Sequence, residues 1–561
     1  MSHIKFFALG GLGEDGKNMY CLEIDGDLFI LDAGLKYPTQ ELYGVDVILP
    51  DFSYLRENKK RLRALFLSHG HEDHIGAVPS LLRQFDLPVY GSYFTLALLK
   101  DSLVEAGMDP NAYQLNVVTK QDRITFGKTS ISFYQSTHSV PESFGIVMQT
   151  PDGAIVYSPD YTFDQNVSRA YKTSFERLAE VAGKEVLAWL TESLGAERYG
   201  HSHTSRNLDH ALNQAFFKAE KRVIVSAFST DIFRIQKVID VALKYERDIA
   251  IIGRKTQRMV DIAINLGYLR IPDDKLINLK FISEHNTNDL DNALVLVTGE
   301  RHEPFHMLQR MVRKLDRLIH MKETDQVILM TPPVPGTERI AARTLDILYR
   351  NDIHIVNIDK NVLPPSHASS EDIKLLANIL NPKYIIPVVG EHRHLFALKK
   401  LALSIGYDAS HIKVLDNGQV LEFIDGEAKK DTYSINSGDV LIDGILEGDI
   451  SDIVLRDREI LAQDGVLMIV ANVDSKNKTF VGEIEIVSRG FVYMRENEPL
   501  MLEVAEVVDK SAKEFFKAKY IDWRAMKDKL RDDVARHLYH ATNRRPIVIS
   551  VLIDTPSRKS V

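Results

Sequence analysis

Three histidines and an aspartate lie within six residues of the sequence, in the segment His69-Gly70-His71-Glu72-Asp73-His74. Imidazole nitrogens and carboxylate oxygens are the ligands that zinc and manganese prefer in proteins. His69 and His71 alternate along the chain and can bind one metal ion, whereas Asp73 and His74 follow directly and can reach a second. The alternative is a polar turn with satisfied histidines, which this spacing disfavours. The segment therefore predicts a site for divalent metal ions.

The metal-ligand segment follows a short apolar run and precedes an amphipathic one. Residues 64–67 predict a buried strand, and residues 75–85 predict a helix. Ligand-type residues also follow three further predicted strands, at His138, Asp160 and Glu192. A chance scatter of turn residues would not place such a side chain at each strand end, so we predict that these residues share a role.

The composition is that of a globular protein of several domains. The chain has 561 residues, of which 45% are hydrophobic and 26% are charged. No apolar run approaches the ~18 residues that span a bilayer, and residues 1–8 lack the pattern of a signal peptide. The single cysteine, Cys21, excludes a disulfide framework, so we expect a reducing, cytoplasmic location and no membrane partner. With a net charge of −9, nucleic-acid binding would need a local basic groove.

Residues 205–365 alternate predicted strands and helices, which is typical of an inserted α/β domain with a parallel sheet. Within it, residues 307–321 predict an amphipathic helix whose apolar side carries Leu308, Met311, Leu315 and Leu318. Its other side is basic, with Arg310, Arg313, Lys314 and Arg317. A second basic cluster comprises Arg254, Lys255 and Arg258. Each could be an ordinary solvated face or a contact for a phosphate backbone.

The end of the chain predicts a separate small unit. Residues 428–460 are rich in glycine and aspartate and predict an irregular connector. From about residue 461 the pattern predicts a hairpin, two helices and a final strand. Because this stretch carries no metal-binding or nucleophile constellation, we expect it to serve in association or RNA contact.

The histidine-rich segment at a strand end resembles the metallo-β-lactamase superfamily, and His138 and Asp160 match later motifs of that superfamily. The inserted α/β domain resembles the β-CASP insertion of its nucleic-acid-processing members. The whole chain is similar to the ribonuclease J family, through residues 10–18, 45–51, 137–143, 454–458 and 488–493.

The resemblance implies an α/β fold built as a metallo-β-lactamase αββα sandwich, with an inserted β-CASP α/β domain and a small α+β C-terminal domain. The implied boundaries are residues 1–205 and 366–427 for the sandwich, 206–365 for the insertion, 428–460 for a linker and 461–561 for the C-terminal domain.

The resemblance also implies roles for single residues. One metal ion would be held by His69, His71 and His138, and a second by Asp73 and His74, with Asp160 as the bridge and Asp32 as support. The candidate catalytic residues are Asp73, Glu192 and His367, of which the last two could assist proton transfer near the leaving 3′-oxygen. The expected substrate-binding segment is Ser366-His367-Ala368-Ser369.

The implied activity is that of a bacterial ribonuclease of rRNA maturation and mRNA decay, which acts on single-stranded RNA as a 5′→3′ exonuclease and an endonuclease. Two zinc or manganese ions would prepare a hydroxide for in-line attack on the scissile phosphodiester. The implied partners are a second copy of the chain or a paralogue, bound through the C-terminal domain.

Three segments depart from the family pattern. Val389 stands where the family has a metal-binding histidine, which predicts a weak second metal site unless His392 or His394 substitutes. Pro365-Ser366-His367 replaces a Ser-Gly-His loop that binds phosphate, so close backbone approach to an anion is lost. Glu300 adds a negative charge where RNA could run, partly offset by Arg301.

Three hypotheses stay open on the sequence. The first is an active two-metal ribonuclease. The second is a weakly active or scaffolding subunit that partners an active paralogue, possible because all three departures fall on the substrate or second-metal side. The third is a metal-dependent hydrolase of DNA or a small ester, against which the insertion and the C-terminal unit argue.

Overall fold

The structure is a computed structural model that describes residues 2–38, 42–202, 205–253, 256–277, 290–334, 336–444, 446–447, 452–492 and 497–555. The chain divides into two compact units. The first comprises Met1–Tyr37 and Val47–Val440, and the second comprises Pro38–Asp46 and Leu441–Val561. Within the described ranges, no helix is long and apolar enough to cross a membrane.

The first unit begins with twelve strands and five helices. The strands are β1 His3–Gly10, β2 Met19–Ile24, β3 Asp27–Leu31, β4 Val47–Pro50, β5 Leu62–Phe66, β6 Val89–Gly91, β7 Leu115–Val117, β8 Arg123–Phe126, β9 Thr129–Ser136, β10 Ser143–Thr150, β11 Gly153–Ser158 and β12 Val186–Glu192. The helices are α1 Ser53–Glu57, α2 Glu72–Ile75, α3 Val78–Gln84, α4 Tyr93–Glu105 and α5 Phe175–Ala182.

The chain then enters an α/β insertion, as the alternating pattern predicts. Its strands are β13 Val223–Phe228, β14 Asp248–Ile252, β15 Ala293–Gly299, β16 Gln326–Leu329 and β17 His354–Asn357. Its helices are α6 Arg206–Lys218, α7 Ile232–Lys244, α8 Thr256–Asn265, α9 Glu303–Val312 and α10 Glu338–Arg350. The five strands pair in parallel in the order β14-β15-β13-β16-β17, which confirms the predicted parallel sheet.

After the insertion the chain returns to the first two sheets. The added elements are α11 Ser370–Leu380, β18 Tyr384–Val388, α12 His392–Ser404, β19 Gln419–Ile424, β20 Glu427–Ala428 and β21 Tyr433–Ser434. One sheet has the order β20-β19-β1-β2-β3-β5-β6-β7, with β21 paired to β19, and the other has the order β18-β12-β11-β10-β9-β8. Their inner faces share one buried cluster that includes Phe6, Phe66, Phe133 and Leu190. The predicted sandwich is therefore confirmed.

Helices cover the outer faces of the sandwich. Buried side chains of α5, α11 and α12 pack with Trp189 and Val156 on the outer face of the second sheet. The helix α4 contacts β6 and β7 of the first sheet. Because both faces are covered, central strands consist of nearly continuous apolar residues, as in β2, whose six residues are all buried.

The remaining elements are β22 Asp439–Asp443, β23 Leu446–Glu447, α13 Asp452–Gln463, β24 Val466–Asp474, β25 Thr479–Arg489, α14 Glu498–Phe516, α15 Trp523–Thr542 and β26 Ile547–Asp554. The predicted hairpin, helix pair and final strand are confirmed: β24 pairs antiparallel with β25 and parallel with β26, and both helices pack on one face of this sheet. The segment 428–460 is not irregular throughout, because α13 begins at Asp452.

The predicted helix over residues 307–321 is wrong in its second half. The helix α9 ends at Val312, and Lys314 adopts a left-handed conformation that terminates it. Leu315 and Leu318 are consequently 64% and 44% exposed. In their place Ile319 and Met321, which follow the turn, enter the core of the insertion.

The basic clusters of the insertion are partly neutralised. Arg310 lies 3.6 Å from Asp316, and Arg258 lies 2.6 Å from Glu105 and 3.6 Å from Asp101. Arg254 and Lys255, the other members of the second cluster, fall outside the described residues. These pairings weaken the case for a phosphate contact by Arg310 or Arg258.

The end of α9 gives a matched test of stability. Leu308→Ala should lower the free energy of unfolding by about 2–5 kcal/mol, because it leaves a cavity in the core of the insertion. Leu315→Ala should change it by less than about 0.5 kcal/mol, because that side chain is exposed. Urea denaturation of both variants measures the difference. Equal destabilisation would mean that the helix continues past Val312.

Candidate metal centre and catalytic site

The metal-ligand segment occupies the turn between β5 and α2, beside the end of β3. The turn after β3 packs so closely on the segment that a Cβ atom at Gly34 would lie 1.6 Å from the carbonyl oxygen of Asp73. Asp32, in this turn, adopts a left-handed conformation with φ of 60°, which aspartate tolerates better than most residues. Glycine and aspartate at these positions therefore allow the two strand ends to converge.

Four ligand-type side chains meet at this point. One nitrogen or oxygen from each of His69, His71, His138 and Asp160 lies within 4.8 Å of the others. The Nδ1 atom of His71 is 3.1 Å from Nε2 of His69 and 3.2 Å from Nε2 of His138. Asp160 Oδ2 lies 3.5 Å from both of those Nε2 atoms. These residues are named the first metal group below.

The second nitrogen of each histidine points away from the group toward a hydrogen-bond partner. His71 Nε2 donates to the carbonyl oxygen of Thr230 at 3.0 Å, and His138 Nδ1 donates to that of Ser366 at 2.9 Å. His69 Nδ1 lies 3.0 Å from the hydroxyl of Ser68. Because a carbonyl oxygen only accepts, the inner nitrogens of His71 and His138 carry lone pairs.

The charge state of the group fits a bound cation. Burial and the neighbouring histidines hold the pKa of His69 well below its usual range, and burial does the same for His138. The neutral imidazoles of His69 and His138 therefore lie beside the buried carboxylate of Asp160. Its Oδ1 atom is itself buried and accepts no hydrogen bond from the described residues. Such a donor set suits a divalent metal ion.

Asp32 anchors the neighbouring His74 from within the core. Its Oδ2 accepts hydrogen bonds from Nδ1 of His74 at 2.8 Å, from the hydroxyl of Ser68 at 2.7 Å and from that of Tyr157 at 2.8 Å. The Nε2 atom of His74 lies 3.4 Å from Asp73 Oδ2 and 3.8 Å from Asp160 Oδ2. Burial would lower the pKa of His74, but Asp73 and Asp32 raise it to about 9.

A second cluster shares Asp160 with the first. Asp160, Glu192 and His367 also bring their ligand atoms within 4.8 Å of one another. His367 Nδ1 donates to Glu192 at 2.8 Å and lies 3.6 Å from Asp160 Oδ1. Buried Glu192 also accepts from the backbone amides of Tyr161 at 2.9 Å and Ala368 at 3.0 Å. Burial opposes the charge of His367, but Asp160 and Glu192 raise its pKa well above the usual range.

The structure thus brings most of the expected site residues together. Asp73 and His74 belong to neither group of three or more ligands, although His74 lies beside Asp160 and Asp73 lies beside His74. Neither proposed substitute for the missing histidine joins them. His394 Nδ1 accepts from the backbone amide of Glu391 at 3.2 Å, and His392 Nε2 lies 3.6 Å from Asp416.

Val389, at which the family resemblance predicts a metal-binding histidine, has an unusual conformation. Its side chain is buried in the core of the sandwich, and its φ is 53°. A β-branched residue with positive φ is a genuine outlier. The backbone is held by hydrogen bonds from Val389 N to the hydroxyl of Tyr20 at 3.0 Å and from the hydroxyl of Ser193 to Val389 O at 2.9 Å.

The segment Ser366–Ser369 lies against both clusters through its backbone. The carbonyl of Ser366 accepts from His138, and the carbonyl of His367 accepts from Arg198 Nη2 at 2.9 Å. The amides of Ala368 and Ser369 donate to carboxylates, to Glu192 at 3.0 Å and to Asp372 at 3.3 Å. Phosphate binding by this segment stays a prediction.

Glu300, which the sequence placed on the substrate side, belongs to a small carboxylate cluster. The hydroxyl of Tyr37 donates to Glu72 and lies 3.4 Å from Glu300 Oε2. The guanidinium of Arg301 stands over the Tyr37 ring at 5.1 Å. Burial, with Glu72 and Glu300, raises the pKa of Tyr37. Glu300 is therefore linked to Glu72 of the metal-ligand segment through the hydroxyl of Tyr37.

Sequence reasoning missed several residues that position the site. Asn18 Nδ2 lies 3.2 Å from both Asp73 Oδ2 and His74 Nε2, and Tyr157 donates to Asp32. Thr230 acts through a carbonyl oxygen, which has no sequence signature. The polar Tyr157 within an otherwise apolar buried strand was the one available signal, since buried hydroxyls need partners.

Comparison with protein families matches four models along the chain. They are the metallo-beta-lactamase superfamily at residues 12–223, the ribonuclease J beta-CASP domain at 220–348, the Zn-dependent metallo-hydrolase RNA specificity domain at 366–413 and the ribonuclease J C-terminal domain at 453–555.

Two curated relatives match over nearly the whole chain. Ribonuclease J2 of Bacillus subtilis (strain 168) is 37% identical over 98% of this chain and 99% of its own length. Ribonuclease J 2 of Staphylococcus aureus (strain MRSA252) is 37% identical over 98% of both chains. Among solved structures, a protein of unknown function from Enterococcus faecalis V583 has a TM-score of 0.52 at 14% identity. The match covers 75% of this chain and 100% of the Enterococcus faecalis chain. At this sequence identity it supports the fold alone.

The hydrogen bonds of Asp32 predict an effect on metal affinity. Asp32→Asn keeps the left-handed backbone but removes the charge that orients His74, so divalent metal should bind about 10–100-fold more weakly. Competition with a chromogenic chelator measures this affinity. Asp51→Asn, at the end of β4, is the control and should leave the affinity unchanged. Equal affinities in all three proteins would contradict the support role.

Proposed function

Since the chain belongs to the ribonuclease J family, we propose that it is a metal-dependent ribonuclease that hydrolyses phosphodiester bonds of single-stranded RNA. The observation that carries the proposal is the first metal group, in which one nitrogen from each of three histidines and one oxygen of a buried carboxylate lie close together. The relatives named ribonuclease J2 and the RNA specificity domain model support RNA as the substrate.

We propose that His69, His71, His138 and Asp160 hold one metal ion, and that Asp73 and His74 reach a second beside Asp160. Zinc and manganese both suit these ligands. Divalent ions in such sites lower the pKa of water and neutralise phosphoryl oxygens during in-line displacement. The chain's own task is to hold the ligands at the correct tautomer, through Asp32 and the carbonyls of Thr230 and Ser366.

His367 is the proposed proton donor. The carboxylates of Asp160 and Glu192 raise its pKa well above the usual range of histidine, which favours an imidazole that carries a proton before the reaction. Its Nδ1–H bond to Glu192 fixes the ring and leaves Nε2 to deliver a proton to the leaving 3′-oxygen as the P–O bond breaks. Glu192 is a positioning residue, because it is fully buried and acts through His367. Asp73, which borders the metal side, completes the proposed catalytic set.

The presence of valine at position 389 is the evidence for our proposal that the second metal site binds its ion weakly. Valine cannot ligate, and the two nearby histidines make other contacts. This observation favours the second candidate function, a weakly active or scaffolding subunit that partners an active paralogue. The intact first group favours retained activity, which we propose includes 5′→3′ exonuclease and endonuclease action in rRNA maturation and mRNA decay in the cytoplasm.

The proposed domain boundaries are those implied by the sequence: 1–205 with 366–427, 206–365, 428–460 and 461–561.

The proposed partner surface is the open face of the C-terminal sheet. Met468 and Ile549 are opposite each other on neighbouring strands of this sheet, and Ile549 and Ile553 are 40% and 46% exposed. Exposed Arg489 and Glu485 lie on this face of β25. A two-fold arrangement would pair these opposite charges, so we propose a homodimer or a paralogue complex through this face.

The first metal group gives the test of the proposed function. His71→Ala should lower kcat for zinc- or manganese-dependent cleavage of a 5′-labelled RNA by about 10²–10³-fold or more, the range for removal of one preorganised electrostatic group. His210→Ala replaces an exposed histidine on α6 and should leave cleavage unchanged. Parallel reactions with DNA and an ester test the remaining hydrolase hypothesis. Absence of RNA cleavage by the native chain would refute the proposal.

Val389→His tests whether the second site has weakened. Histidine accepts positive φ more readily than valine and adds a ligand, so the variant should bind about two metal ions where the native chain binds about one. Elemental mass spectrometry on protein purified without chelator measures the content, with Val117→His on an exposed strand as control. Two ions in both proteins would mean that the second site binds a metal ion although residue 389 is valine.

A further inference from the structure

The loop between β12 and α6 is fastened to the segment that carries His367. The amide of Ser370 donates to the carbonyl of Arg198 at 2.9 Å, and that of Glu371 donates to the carbonyl of Gly200 at 3.0 Å. A Cβ atom at Gly195 would lie 1.9 Å from the carbonyl oxygen of Ala368, so this close approach requires glycine. The loop backbone is therefore fixed on both sides of residue 199.

Tyr199, between these two anchors, exposes its whole side chain. Its relative exposure is 99%, the highest of the large hydrophobic residues that the structure describes. Within the described part of the chain, its ring makes no hydrogen bond, ion pair or aromatic contact. Tyr161 is buried, by contrast, and its hydroxyl lies 3.3 Å from that of Thr191. A rigid backbone thus presents an aromatic ring to solvent.

The loop lies next to the proposed reaction centre. Arg198, the residue before Tyr199, donates through Nη2 to the carbonyl of His367 at 2.9 Å. His367 in turn contacts Glu192 and lies 3.6 Å from Asp160 Oδ1. Arg198 and His367 are therefore the two residues that link Tyr199 to Asp160, which belongs to both clusters.

We propose that Tyr199 is a substrate-positioning residue whose ring stacks on a nucleobase of single-stranded RNA that flanks the scissile phosphate. This inference rests on the proposed function. An uncharged aromatic ring suits a base rather than a phosphate, because each nucleobase offers a π-face whatever its identity. Stacking on a fixed loop also costs little ordering, because the backbone is already held at Arg198 and Gly200.

Binding is tested with a single-stranded RNA that carries 2-aminopurine near its 5′ end, in the presence of a chelator that prevents cleavage. Tyr199→Ala should bind about 10–100-fold more weakly and should quench the fluorescence less, whereas Tyr199→Phe should behave like the native chain. Tyr349→Ala, which removes a 62% exposed tyrosine on α10, is the matched control and should have no effect. The thermal midpoints should be equal, because neither ring is packed.

Kinetics separate positioning from catalysis. Tyr199→Ala should raise KM and leave kcat nearly unchanged. A series of substrates, each with one abasic nucleotide at a different position, locates the stacked base. At that position alone, the native chain and Tyr199→Ala should have the same KM. Equal binding and KM for Tyr199→Ala and the native chain would overturn the inference. A loss shared by Tyr199→Phe would also overturn it, by assigning the contact to the hydroxyl. If the native chain itself neither binds nor cleaves RNA, the proposed function has failed and the inference fails with it.

Discussion

The metal centre depends on hydrogen bonds that tie the outer nitrogen of each histidine to a different part of the chain. His69 is tied to Ser68 beside it, His71 to the carbonyl of Thr230 in the α/β insertion, and His138 to the carbonyl of Ser366 after the insertion. The tautomers that expose lone pairs to a metal are set by these partners. The insertion therefore helps to position the candidate site, because its loop between β13 and α7 carries the carbonyl that accepts from Nε2 of His71.

A second constraint is the sharing of Asp160 between two clusters of opposite character. On one side stand histidines whose pKa values burial keeps low, and on the other stands His367, whose pKa two carboxylates raise. Environments that push titratable groups in opposite directions are typical of sites that divide metal binding from proton transfer. Since the carboxylate of Asp160 faces both, its position couples the proposed attack to the proposed protonation of the leaving group.

The alternating pattern of strands and helices was sufficient for the parallel sheet of the insertion. The family resemblance implied the sandwich and the candidate ligand residues, four of which the structure brings together. The sequence pattern gave a wrong prediction at α9. Its helical periodicity extends to Met321, but the left-handed conformation of Lys314 ends the helix at Val312. The sequence pattern also missed Thr230 and Ser366, which act through main-chain atoms, and the buried network of Asn18 and Tyr157, which only tertiary packing assembles.

The unusual backbone at Val389 is held by the surrounding fold. The main chain of Val389 is held by hydrogen bonds with the hydroxyls of Tyr20 and Ser193. The next residue, Gly390, forms isolated β-bridges with Leu12 and Glu14. These contacts keep φ at 53°, although a strained backbone of this kind costs about 1–3 kcal/mol. The valine is in turn accepted because its side chain joins the sandwich core. The strained conformation at residue 389 thus belongs to the fold, so the second metal site that we propose to be weakened leaves the first metal group unaffected.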